Sequence, residues 1–238
     1  TNAERLNAWS QVVLFISVVT VAIGILVWWV LPNKSNAEAN IEKKTGDHLS
    51  LNMLRPLLRK KTIWLQSIII VCAYAGYKIT DDFSLYAREV LGYEEARAAM
   101  VGALALWLRP IIAVSVGIMA DKVGIARSIM ACFVLMIFGG LLIGTGILPQ
   151  VNFWTFALVI IVTGTGVFAL RGLYFALLEE GKVPMAYTGT VIGIVSVLGF
   201  TPDVFMGPLM GYFLDTYPGG LGHQYVFLSM TALAVVGL

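Results

Sequence analysis

Seven stretches of apolar residues decide what this chain can become. They lie at roughly 9–31, 62–86, 98–120, 128–148, 153–178, 187–213 and 224–238. In hydrocarbon every backbone N–H and C=O must find its partner inside the segment, so runs of this length predict membrane-spanning α-helices. The last run counts 15 residues. At a rise of about 1.5 Å per residue it falls short of a hydrocarbon core about 30 Å thick. Because Thr1 is not a start residue and no signal peptide precedes the first run, the expectation is a fragment cut at both ends.

Composition excludes a soluble domain. Hydrophobic residues make up 58% of the 238 and charged ones 13%, with a mean hydropathy of +0.84. The expected class is an all-α polytopic membrane protein. Cys72 and Cys132 both lie within apolar runs, so no disulfide framework is indicated. His48 and His223, the two histidines, sit in polar segments without a partner at metal-ligand spacing. No metal, cofactor or nucleic-acid partner is expected.

Lysine and arginine set the orientation. The segments 32–61, 121–127 and 179–186 hold ten of the sixteen: Lys34, Lys43, Lys44, Arg55, Arg59, Lys60, Lys61, Lys122, Arg127 and Lys182. The opposite set, 1–8, 87–97, 149–152 and 214–223, holds Arg5, Arg88 and Arg97. The first set is therefore assigned to the cytoplasm. Within 32–61, Leu51, Leu54, Leu57 and Leu58 at helical spacing beside Arg55, Arg59, Lys60 and Lys61 suggest an amphipathic helix on the inner leaflet. A polybasic partner site is the alternative. This longest loop divides the chain into three parts: 1–31, one helix; 32–61, a cytoplasmic loop; and 62–238, a six-helix bundle with a short last helix.

The loop after the third run reads Val116-Gly117-Ile118-Met119-Ala120-Asp121-Lys122-Val123-Gly124-Ile125-Ala126-Arg127. Gly117 would let two helices approach closely, Gly124 would permit a tight reversal, and Asp121 and the cations would stay at the wet edge of the bilayer. The segment resembles the loop signature of the major facilitator superfamily of transporters, G-x-x-x-D-R/K-x-G-R-R/K. Gly117, Asp121, Lys122 and Gly124 match; Ile125 and Ala126 replace two cations, and Arg127 comes one place late. The resemblance implies that the first run is the sixth helix of a missing N-terminal half, which would be a partner alongside membrane lipid. Runs two to seven would then be the second half. It also implies that Asp121 faces the positive end of a helix in the other half and favours the state closed to the cytoplasm. Glu179 and Glu180, followed by Lys182, Pro184 and Gly189, look like the family's turn between its tenth and eleventh helices.

Buried charge agrees with that reading. The first, fourth and seventh runs carry no Asp, Glu, Lys or Arg, whereas the others carry at least one each. A charge inside a span is expensive and should face a cavity or a partner. Arg109-Pro110 and Pro202-Asp203 also occupy matching places in two three-helix repeats. Proline-interrupted helices at such places mark a midplane site. Gly207 and Gly211, flanking Pro208, would permit bending and close approach.

The candidate solute-binding residues are Arg109, Lys78 and Arg171. Arg109 could grip an anionic group or form a structural pair with Asp203. Lys78 could line the outer cavity or snorkel to the interface. Arg171 could line the inner cavity or pair with Glu179. The candidate proton-coupling residues are Asp203, Asp81 and Asp82, the last two lying three and four residues after Lys78 on one helix face. The conformational motif comprises Gly117, Asp121, Lys122, Gly124 and Arg127. The segment around Lys78 faintly resembles the organophosphate antiporter branch, with Lys78 near the place of a phosphate-gripping arginine.

The expected function is secondary transport of a small polar, anionic solute by alternating access, coupled to protons, in a bacterial inner membrane. The alternative solute is a neutral sugar or amphiphile, with the buried charges forming an internal network. A membrane enzyme is disfavoured, since no run interior contains a histidine and no H-E-x-x-H occurs.

Overall fold

The structure is a computed structural model that describes residues 2–30, 59–148, 152–177 and 188–238. It divides into two units, residues 1–50 and 51–238. The first unit contains helix α1, Asn2–Val30. Its stretch Trp9–Val30 carries no charged residue and is apolar and long enough to cross a membrane. Ser17 and Thr20 turn their hydroxyls back onto the carbonyls of Val13 and Ile16, which satisfies both donors within the helix.

The second unit is all helix among its described residues. Helix α2, Lys61–Ile79, runs through a 3₁₀ turn, Thr80–Asp82, into α3, Phe83–Glu89. Then come α4 (Glu95–Val123), α5 (Ile125–Gly144), α6 (Phe153–Leu173), α7 (Thr188–Gly199), α8 (Pro202–Thr216) and α9 (Gly220–Gly237). Together with α1 the described residues supply seven spans, α2 and α3 forming one and α7 and α8 another. The chain is thus an all-α polytopic membrane protein, as its apolar runs require. The proposed amphipathic helix and Glu179, Glu180, Lys182 and Pro184 lie outside the described residues.

Local chemistry sets the element ends. The Asn152 carboxamide accepts from the Thr155 N–H and caps α6. Proline opens α8, where its missing N–H is one that no helix start uses. Between α4 and α5 the break is a single residue, Gly124, with φ of 101°. The expected loop of 121–127 is therefore mostly helix, because a residue free of Cβ can reverse the chain alone.

One further expectation is corrected. The last helix starts at Gly220 rather than near 224 and runs 18 residues, about 27 Å. Gly220, Gly222 and His223 looked like loop, but His223 is fully buried and partnered, which removes the reason to keep it in water. Gly117 does not serve a close helix contact within this unit. A carbon added there would meet nothing within 4 Å, and the same holds at Gly207 and Gly211.

The close approach falls instead between α5 and α6. A carbon on Gly166 would lie 2.6 Å from the Cys132 carbonyl oxygen, and Gly139 faces Thr163. In lipid, helix association rests on such packing, since hydrocarbon tails are as apolar as leucine. Helix α9 packs on α5 and α2, and α4 packs on α6. An aromatic cluster closes one end: Phe83 stacks on Phe227, and Tyr86 on Phe156, all four fully buried.

Candidate functional site

Two arginines set within spans meet around one aromatic ring. Tyr74, Tyr77, Lys78 and Asp81 recur at helical spacing along the end of α2 and the turn that follows. Arg109 projects from the middle of α4, the fifteenth of its 29 residues. Pro110 follows it, and without an N–H it leaves the Leu106 carbonyl without its usual helical donor. Arg171 lies in the last turn of α6.

Arg109 donates from Nη1 to the Tyr77 hydroxyl at 2.8 Å. Its guanidinium carbon is 4.8 Å from the centre of the Tyr77 ring and 5.2 Å from that of Phe168. Arg171 sits 3.9 Å from the same Tyr77 ring and 5.5 Å from Tyr74. The two guanidinium carbons are thus within 8.7 Å of each other. Their repulsion is about 2 kcal/mol at an effective dielectric constant of about 20, before further screening by solvent. Contact with an aromatic face returns about 0.5–2 kcal/mol per cation. No carboxylate lies within 4 Å of either arginine among the described residues. Arg109 Nε is buried with no acceptor. A cleft of about 400 Å³ opens onto this group, lined by Tyr77, Arg109, Pro110, Phe168 and Arg171.

Asp203 is held separately. It lies in the first turn of α8, where the helix end favours a negative charge. Tyr74 donates to its Oδ2 at 2.9 Å, and Lys78 Nζ is 3.4 Å from its Oδ1. Lys78 also lies 3.8 Å from Asp81. The partner of Asp203 is therefore Lys78, and Arg109 pairs with a phenol instead. Among the described residues, Lys78, Arg109 and Arg171 against Asp81 and Asp203 leave one positive charge in excess.

Asp82 parts company with its neighbour. It is buried and faces His223 of α9. The conformational motif lies away from the arginines: Asp121 is twelve residues beyond Arg109, about 18 Å along α4. Asp121, Lys122 and Arg127 are exposed.

Three aromatic residues complete the site unannounced: Tyr74, Tyr77 and Phe168. The signal that could have found the first two is their spacing. Tyr74 and Lys78 are four residues apart and Tyr77 and Asp81 four apart, so all four share one side of a span. His223, set aside as a loop residue, was missed for want of its partner in sequence.

Comparison with known proteins agrees with this architecture. The family model described as Major Facilitator Superfamily matches residues 3–202. The chain is 29% identical over 231 residues to the inner membrane protein YqcE of Escherichia coli K12. It is 28% identical over 227 residues to the inner membrane protein YihN of the same organism. Each match covers 94% of this chain and 54% of the relative. The chain thus spans about half the length of these curated relatives.

Proposed function

This chain belongs to the Major Facilitator Superfamily, and from that premise we propose that it is part of a proton-coupled secondary transporter that moves a small anionic solute across a bacterial inner membrane. The observation that carries this reading is the pair of guanidiniums on Tyr77, with no carboxylate within 4 Å among the described residues and open to a cleft. An anion between them relieves their repulsion and supplies the acceptor that Arg109 Nε lacks. Bidentate geometry suits a carboxylate or phosphate group. Asp203, held by Lys78 and Tyr74, takes the role of proton carrier: when it is protonated, Lys78 is released to meet the solute. A second six-helix half, supplied by the remaining length that such relatives have, forms the opposite wall, and one half rocks against the other.

Lys78–Asp203 and Arg109–Tyr77 can also be read as an internal charge network around a neutral solute. Ligand-dependent thermal stabilisation of the full-length protein separates the two. A ligand at about 100 times its dissociation constant adds about 2.7 kcal/mol to folding stability. Sugar phosphates, sugar acids and carboxylates are expected to stabilise the wild type. Arg109→Gln should abolish the effect, and Arg109→Lys should weaken it severely because the planar fork is lost. Stabilisation by neutral sugars alone overturns the anion reading.

A further inference from the structure

Away from the arginines, a second charged cluster joins the outer end of the second span to the last helix. His223 Nδ1 lies 2.7 Å from Asp82 Oδ2, and its Nε2 lies 3.2 Å from Glu89 Oε2. The His223 ring is completely buried and Asp82 nearly so, while Glu89 is half exposed. A neutral imidazole has one N–H and one lone pair. With both carboxyl groups ionised it can donate to one of them only, and its lone pair would then face an oxygen of the other. Only an imidazolium donates from both nitrogens.

Other groups do not change this count. Asp82 reaches the ring from the 3₁₀ turn and Glu89 from α3, and Tyr86 meets it edge-on at 5.6 Å. Arg88 is taken up by Glu95. Among the described residues Asp215, Tyr217 and Tyr225, on or beside the neighbouring helices, make no hydrogen bond or ion pair to the ring.

The cluster is mechanically close to the solute site. The Thr80 hydroxyl, in the turn that holds Asp82, donates to the Tyr77 carbonyl at 2.7 Å. Tyr77 is the ring both arginines share, and Lys78 follows it. We propose that Asp82, His223 and Glu89 form a proton-bearing clip, an imidazolium between two carboxylates, which fastens the second span to α9 and so positions Tyr77 and Lys78. His223 is a positioning residue here. Its importance for transport rests on the solute-site reading above, but the clip and its hold on Tyr77 are measurable without any solute.

The test uses the full-length protein in nanodiscs with ¹⁵N-labelled histidine and 3-fluorotyrosine at position 77. The His223 signals are assigned by their loss in His223→Gln. At pH 7.5 both ring nitrogens are expected to give N–H signals. As pH rises and one proton leaves, the fluorine signal at Tyr77 should shift with the same midpoint. His223→Gln should abolish that shift. Glu89→Gln should abolish it while preserving the low-pH fluorine position, because the new amide can donate to the lone pair of a neutral ring. A lone-pair nitrogen on His223 at pH 7.5 overturns the clip. A fluorine signal indifferent to loss of the His223 proton, or one that still steps in Glu89→Gln, overturns its hold on Tyr77.

Discussion

Asp203 and Arg109 were natural partners on paper, an acid and a base each beside a proline in matching helices. The folded chain gives Asp203 to Lys78 and Tyr74, and Arg109 to Tyr77. Which cation reaches which acid depends on helix rotation, and no spacing along the chain encodes it. The charged members of the site were legible because a charge within a span demands a reason. Tyr74, Tyr77 and Phe168 were not, because an aromatic residue in an apolar run needs none. The carrier role of Asp203 belongs to this scale. Asp203→Asn keeps an oxygen for the Tyr74 hydroxyl and loses the ion pair to Lys78, whose side chains are 30% and 50% exposed, together with the negative charge that the start of α8 favours. The cost to stability should be about 1 kcal/mol or less. In proteoliposomes the variant is expected to lose accumulation driven by a pH gradient and to retain solute exchange. Undiminished accumulation would show that the proton travels elsewhere.

Among the helices, the α5–α6 contact rests on glycine against backbone. Gly166 lies against the Cys132 carbonyl and the Met136 amide, at 2.6 and 2.9 Å from where a Cβ would stand. Both are backbone atoms and cannot rotate away. Gly166→Leu should therefore destabilise the full-length protein by about 3 kcal/mol or more, read as a fall in the thermal unfolding midpoint. The run Gly164-Thr165-Gly166 suggests close helix packing from its glycines alone, and the fold places that contact on α5. Helix existence was plain from apolar length, whereas helix ends were not. A buried histidine extended α9 backwards to Gly220, and one glycine with positive φ replaced an expected seven-residue loop.

For the molecule as a whole, the distribution of lysine and arginine gives the bundle a direction across the membrane. Glu94 and Lys122 are both exposed, at opposite ends of α4. The two native cysteines are buried, so they should stay silent toward a polar thiol reagent. In intact cells Glu94→Cys is expected to react with a membrane-impermeant maleimide, and Lys122→Cys only after permeabilisation. The opposite pattern would invert the bundle. The break between α7 and α8 has a consequence in time. Its halves, about 18 and 22 Å long, are each too short to cross alone, so they must enter the bilayer as one segment with Asp203 aboard. Tyr74 and Asp203 are 129 residues apart. At about 5–20 residues per second of synthesis, the second span waits roughly 6 to 26 s for the carboxylate it is built to hold. Through that interval Lys78 has Asp81 alone for company, and a nascent chain stalled before residue 203 carries an unfinished charge in its membrane.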